Sequence, residues 1–259
     1  RTTNGGINWM TQCVININYS SIDFINSSTG FSVSSGYNFY KTTNGGDSWS
    51  ELNFSIGTMN LIYVKFQDAL TGIVAANSSI NDTARILRTT NGGLNWSVIR
   101  RSSSNMFYSA EFLNDNLGWI TAFGAVIKTT DAGLTWTSYP CGGFNIVRGA
   151  YFLNSNTGWA VVNDASVLKT TNGGTNWTAV TNLNTLVTLS VPHFLNENTG
   201  WIMGANGTLY KTTNGGIVFV SNQENSVASK FQLEQNFPNP FNPSTVIKFS
   251  VLENNFVSL

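Results

Sequence analysis

Residues 41–49 read KTTNGGDSW, and five other stretches repeat the pattern: RTTNGGINW from Arg1, RTTNGGLNW from Arg88, KTTDAGLTW from Lys128, KTTNGGTNW from Lys169 and KTTNGGIVF from Lys211. The Asn or Asp of each copy falls at positions 4, 44, 91, 131, 172 and 214, in steps of 40 to 47 residues. A step of this length marks a repeat architecture, so the fold is reasoned from its unit. A second motif stands between successive copies: DFINSSTGF from Asp23, KFQDALTGI from Lys65, EFLNDNLGW from Glu111, YFLNSNTGW from Tyr151 and HFLNENTGW from His193. Each period therefore runs strand, Asn-rich turn ending in Gly, strand, loop, strand, Asn-Gly turn, strand. Four short strands in about 40–45 residues predict one blade of a β-propeller.

The local chemistry agrees. Asn-Gly and Asp-Ala-Gly place residues tolerant of positive φ at a hairpin turn. The flanking segments are rich in Thr, Val, Ile, Tyr and Trp, which favour strands. In GTLYKTT, Leu209 and Lys211 share one face and Tyr210 and Thr212 the other. No segment carries a convincing helical period. Within the repeat, an Asx side chain accepts hydrogen bonds from backbone N–H groups of its own turn, and a preceding Thr hydroxyl adds another. Gly permits the reversal, and Trp folds back as an apolar plug. Asn4, Asn44, Asn91, Asp131, Asn172 and Asn214 are thus expected to be scaffold, together with Trp9, Trp49, Trp96, Trp136 and Trp177. The last copy carries Phe219 where the others have Trp. Most of the Asx positions are Asn, which cannot serve as acid or base.

The 259 residues hold 41% hydrophobic and only 10% charged side chains. Polarity comes instead from Asn, Ser, Thr and Gly. Lys plus Arg equals Asp plus Glu at 13 each, so no basic footprint for nucleic acid or anionic lipid exists. No apolar run is long enough to span a membrane. The sequence opens inside a repeat, which reads as part of a longer chain lacking its signal peptide here. Two cysteines are too few for a disulfide framework.

The T-x-N/D-x-G-x-x-W pattern resembles the Asp-box, or bacterial neuraminidase repeat. The long form, with F-x-N-x-x-x-G-W upstream, resembles propellers of the photosystem II assembly-factor type over residues 1–222. This resemblance implies an all-β propeller and leaves function open, because Asp-box propellers include sialidases, xyloglucan hydrolases, sorting receptors and assembly factors. Residues 1–12 supply the last two strands of one blade. Five full blades are expected at 13–52, 53–100, 101–140, 141–182 and 183–222, giving a ring of six or seven. Cys13 and Cys141 then stand at near-equivalent places three blades apart. That separation is far beyond the roughly 7 Å a disulfide spans, so two free thiols are expected.

After the polar linker 223–230 comes FQLEQNFPNPFNPSTVIKFSV from Phe231. It resembles the opening of the C-terminal sorting domain of type IX secretion, a small β-sandwich, over residues 231–259. The resemblance implies the type IX secretion machinery as a partner, and a secreted or outer-surface location.

Aligning the blades on Phe24, Phe66, Phe112, Phe152 and Phe194 isolates two columns of candidate residues. Four residues before each Phe stand Ser20, Ile62, Tyr108, Arg148 and Ser190. Arg148 and Tyr108, with Arg100 and Arg101, form a candidate cradle for an acidic or sugar ligand. One residue before each Phe stand Asp23, Lys65, Glu111, Tyr151 and His193. These are expected either as a polar ring around one channel mouth or as a solvated rim. A lone His without a Cys/His cluster makes no metal site, and no cofactor motif is present.

Two functional readings stay open. Glycoside hydrolysis needs two carboxyl groups flanking the scissile bond, or a Tyr nucleophile with an Arg cluster. No carboxylate pair stands out in equivalent loops of nearby blades. The favoured reading is a non-catalytic module that binds a protein or polysaccharide, with no nucleic-acid partner and no catalytic residue.

Overall fold

The computed structural model describes residues 1–2, 4–10, 18–54, 57–78, 83–102, 106–141, 143, 145–183, 185–217, 220–221, 232–233 and 249–250. The chain divides into Arg1–Val220 and Ser221–Leu259. The first unit holds five four-stranded antiparallel sheets in a propeller-like arrangement. Blade I comprises β1 (Tyr19–Phe24), β2 (Gly30–Ser34), β3 (Phe39–Thr42) and β4 (Ser50–Leu52). Blade II comprises β5 (Met59–Phe66), β6 (Gly72–Ser78), β7 (Ala84–Thr89) and β8 (Ser97–Ser102). Blade III holds β9 (Phe107–Phe112), β10 (Gly118–Ala122), β11 (Ala125–Thr129) and β12 (Thr137–Pro140). Blade IV holds β13 (Val147–Phe152), β14 (Gly158–Val162), β15 (Ser166–Thr170) and β16 (Thr178–Asn182). Blade V holds β17 (Leu189–Phe194), β18 (Gly200–Gly204), β19 (Leu209–Thr212) and β20 (Val220–Ser221).

Each sheet is a meander in chain order, with the first strand at one edge and the fourth at the other. The first strands adjoin one another, β1 on β5, β5 on β9, β9 on β13 and β13 on β17, so they form the inner wall. Before blade I, Arg1 and Met10 exchange backbone hydrogen bonds of 2.8 and 2.9 Å. Among the described residues the only helical turn is the 3₁₀ segment Ala205–Gly207, and no helix is long and apolar enough to cross a membrane. In the second unit, β21 (Gln232–Leu233) pairs antiparallel with β22 (Phe249–Ser250). The rest of the expected sorting segment, with Cys13 and Phe219, lies outside the described residues.

The core lies between blades. In blades I to IV the residue after the Gly that opens the second strand reaches forward onto the Phe that ends the next blade's first strand. Phe31 stacks on Phe66 at 3.5 Å, Trp119 on Phe152 at 3.6 Å and Trp159 on Phe194 at 3.6 Å between ring centroids. Ile73 takes this place between blades II and III, packing in one cluster with Phe112. Trp119 and Trp159 also donate their indole N–H to Gly173 and Gly215 carbonyls of the next blade's turn. Second strands such as β2, β10 and β14 are consequently buried on both faces. Phe24 has no such stacking partner among the described residues and is 41% exposed.

Four of the basic residues that open the boxes cover rings of the second strands. Lys41, Lys128, Lys169 and Lys211 lie over the rings of Phe31, Trp119, Trp159 and Trp201 at 5.0–5.8 Å from the centroids. Arg1 instead pairs with Asp47 at 2.9 Å.

Candidate functional site

The Asx turns are built from a shared set of bonds. In the box at Asp131, Thr129 Oγ1 donates to the Asp131 carboxylate at 2.8 Å and accepts from Gly133 N at 2.9 Å. Asp131 Oδ1 in turn accepts from Thr135 N at 2.9 Å. The same Thr–Asx and Thr–Gly bonds recur at Asn4, Asn44, Asn91, Asn172 and Asn214. Trp96, Trp136 and Trp177 donate to the carbonyls of Gly93, Gly133 and Gly174. Trp49, Trp136 and Trp177 stand edge-on to the inner-strand Phe of their own blades. Trp9 has no such Phe among the described residues and is 73% exposed. Both polar ends of each box are therefore spent on the turn itself. The upstream turns work alike: Asn26, Asp68, Asn114, Asn154 and Asn196 each accept two backbone N–H bonds from residues two and three ahead.

The column four residues before each Phe has a backbone cause. In every blade the first-to-second strand register slips at this point, between Tyr19 and Ser21, Leu61 and Tyr63, Phe107 and Ser109, Val147 and Gly149, and Leu189 and Pro192. Ser20, Ile62, Tyr108 and Arg148 are the extra residues of β-bulges, and Ser190 lies within the slip of blade V. A bulged residue leaves the ladder and its side chain is re-aimed. Ser20, Ile62 and Tyr108, from three successive blades, line one cavity of about 510 Å³ together with Ser35, Asn60 and Tyr63. Its walls offer hydroxyls, an amide and two phenol rings.

The column one residue before each Phe is solvated only in part: His193 is exposed and Tyr151 half-buried. Asp23 and Lys65 side chains are only 15% and 20% exposed. Asp23 Oδ2 accepts the Phe66 N–H at 2.6 Å, and Ser21 Oγ accepts the Val64 N–H at 3.3 Å. Glu111 Oε2 accepts the Phe152 N–H at 2.8 Å. These donors sit on the free edges of β5 and β13, which have no strand beyond them and need acceptors. Each carboxylate thereby ties its blade to the next. Lys65 lies 3.3 Å from Asp23 and 3.9 Å from Asp115, and the Tyr151 and His193 rings are 4.7 Å apart.

Burial pushes the Glu111 carboxyl up to about 7, against the opposing bond from Phe152. Burial, with Asp23 and Glu111 nearby, raises the Tyr63 phenol far above its ordinary value and keeps it protonated. Two inner-wall carboxylates thus bear on one phenol. Aligning the blades in sequence isolates the column but not this convergence, because which blades face each other across a phenol is a tertiary fact.

The structure places the four residues expected to cradle a ligand in different settings. Arg100 donates from Nη1 to the Trp136 carbonyl at 2.8 Å, which ties the fourth strand of blade II to blade III. Arg101 faces Arg85 across β7 and β8, on the outer half of blade II. Tyr108 lines the cavity of blades I–III, whereas Arg148 lines a separate one beside blade V. Strand position explains the split: Arg100 and Arg101 ride an outer strand, while Tyr108 and Arg148 ride inner bulges. No group of three or more His, Cys, Asp or Glu side chains that could hold a metal occurs among the described residues. Cys141 is a free buried thiol, raised by burial to about 12.

Residues 6–144, more than half of the chain, match the family described as Photosynthesis system II assembly factor YCF48. The chain belongs to this family. No curated protein sequence matches it. Among solved structures, a YCF48 bound to a D1 peptide is 17% identical, with a TM-score of 0.47 over 87% of this chain and 89% of that one. The GH74 xyloglucanase of Xanthomonas campestris is 12% identical, with a TM-score of 0.60 over 85% of this chain and 40% of that one. The GH74 enzyme of Niastella koreensis is 17% identical, with a TM-score of 0.58 over 78% of this chain and 31% of that one. The likeness of this YCF48-family chain to the two GH74 enzymes is one of fold, and it spans less than half of either.

Proposed function

We propose that this propeller is a non-catalytic binding module that recognises a protein or a polysaccharide through the bulge-lined cavity of blades I–III. In this reading residues 231–259 direct its export by type IX secretion, to the outer cell surface or the medium. The observation that carries the proposal is the repeated bulge: one backbone device, at one position of every blade, re-aims side chains that change from Ser to Ile, Tyr and Arg across blades I to IV. Three of these side chains share a cavity large enough for a small ligand or a peptide segment. Hydroxyl, amide and phenol groups suit an uncharged polar ligand. A chain carried out of the cell is parted from any photosystem, so the family's description does not supply its partner.

The test is binding of the purified chain to immobilised neutral polysaccharides and peptides, repeated with Tyr108→Ala and Ile62→Arg. Saturable binding lost in both variants supports the proposal, and binding unchanged in both refutes it. Deleting residues 231–259 is expected to stop the protein from reaching the cell exterior. Unchanged export of the deletion variant would remove the sorting role.

A specific observation favours glycoside hydrolysis as a second reading. Asp23 and Glu111 both act on Tyr63, and Glu111 holds its proton up to about pH 7, as a general acid must. Both carboxylates already accept backbone bonds from neighbouring strands, which is sufficient reason for their presence. Hydrolysis of xyloglucan or a sialoside by the wild-type chain, abolished in Glu111→Gln, would make this reading the correct one.

A further inference from the structure

Arg148 is the one charged side chain among the bulge-column residues Ser20, Ile62, Tyr108, Arg148 and Ser190. Its Nε, like those of Arg88 and Arg100, is buried without a hydrogen-bond partner, and among the described residues its guanidinium makes no ion pair. It lines a cavity of about 270 Å³ between β13, the β14–β15 turn and the segment leading into β17. Acceptors around that cavity are engaged elsewhere. Asp164 accepts from Ser166 N at 2.9 Å and from Asn145 Nδ2 at 3.1 Å. Asn163 Oδ1 accepts from Ile146 N, and Thr185 Oγ1 from Val187 N, both at 3.1 Å. The bulge of β13 is what turns Arg148 out of the ladder toward this space. No residue lines both this cavity and the one shared by blades I–III, so a ligand here is independent of the binding function assigned to that other cavity.

A guanidinium presents a planar fork of donors that matches a carboxylate in two parallel bonds. Leaving such a buried donor unpaired is costly, so a ligand that completes it binds with that deficit relieved. The remaining lining is Val162, Ala165, Leu186, Val187 and Leu189 with Thr188, and holds no aromatic ring. A sugar acid would bring several hydroxyls against a wall in which aliphatic side chains outnumber the hydroxyls of Thr185 and Thr188. We propose that the Arg148 cavity is a carboxylate site for a short aliphatic acid, the carboxylate on Arg148 and the alkyl body against the aliphatic wall. Such a group exists as a free short-chain acid or as the aliphatic carboxyl end of a longer molecule.

The full chain is titrated by NMR or calorimetry with 3-methylbutanoate, its neutral isostere 3-methylbutanamide, N-acetyl-L-valine and methyl glucuronide. Saturable binding of 3-methylbutanoate or N-acetyl-L-valine, at least about tenfold tighter than the amide or the glucuronide, is expected. The tighter of the two acids tells a free acid from a chain end. Arg148→Gln is expected to weaken acid binding by about tenfold or more, as the charged fork is lost. Val187→Phe fills the cavity while leaving the arginine in place, and is expected to have the same effect. It keeps the test valid should Arg148→Gln fail to fold. Equal binding of acid and amide, a tighter glucuronide, no saturable binding of either aliphatic acid, or binding untouched in a folded variant would each overturn the proposal.

Discussion

Residues in this chain divide by whether their partners are local or distant. The Asx and Thr of each box bond within four positions, and the sequence shows both ends of every bond. Asp131 bonding Thr129 and Thr135 is such a case. Ala132 is the one box residue at its position that is not Gly, and it sits at φ 60°. An L side chain is strained there, so Ala132→Gly should raise stability by about 0.5–1 kcal/mol, read from the midpoint of denaturant unfolding. Glu111 is the opposite case, because its burial and its bond to Phe152 come from blade IV. Its folded pKa of about 7 lies above the ordinary 4.5, so the folded state holds the proton more tightly than the unfolded one. The resulting stability is complete below about pH 4.5 and is lost as pH rises through 7. Glu111→Gln keeps an acceptor for Phe152 N and removes this dependence. It should stabilise the protein at pH 8 by about 1 kcal/mol and leave it little changed at pH 4.

At the scale of elements, period and motif order foretold four strands in each repeat, and each of the five sheets of the first unit holds four, whereas no strand is assigned among the described residues of 1–12. The fourth strand of blade II alone runs past its expected end, to Ser102, because Arg101 and Ser102 continue pairing with Arg85 and Ala84. The bulges were visible as a variable column and not as bulges, since a slip of register depends on the partner strand. The inter-blade stack was legible only as a Gly-aromatic pair. That Trp159 lies 3.6 Å from Phe194 rather than from a ring of its own blade follows from the packing of whole sheets. Trp159 is fully buried and donates to Gly215. Trp159→Ala should therefore cost about 3–5 kcal/mol, measured by the same unfolding experiment.

For the molecule as a whole, each sheet packs mainly on its neighbours, so stability is close to a sum of blade and interface contributions. The propeller class was legible because the repeat states it six times. The expected arginine cradle joins residues of an outer strand, Arg100 and Arg101, to inner-strand Tyr108 and Arg148, a difference that one-dimensional spacing does not show. Cys141 tests the core at this scale. Buried, with its thiol raised to about 12, it should resist a thiol reagent in the native protein and react fully in denaturant. Modification at native pH without denaturant would mean that blades III and IV part readily.

The bulge has a consequence for how such a chain can change. The groups that hold the blades together, namely the Thr–Asx turns, the stacked rings and the edge-capping carboxylates, all lie on positions other than the bulge. Ile62 also packs against the core between blades II and III, but Ser20, Tyr108 and Arg148 are released from those duties by the backbone irregularity that re-aims them. They act as interchangeable letters on a fixed page, and exchanging one rewrites the ligand without rewriting the fold.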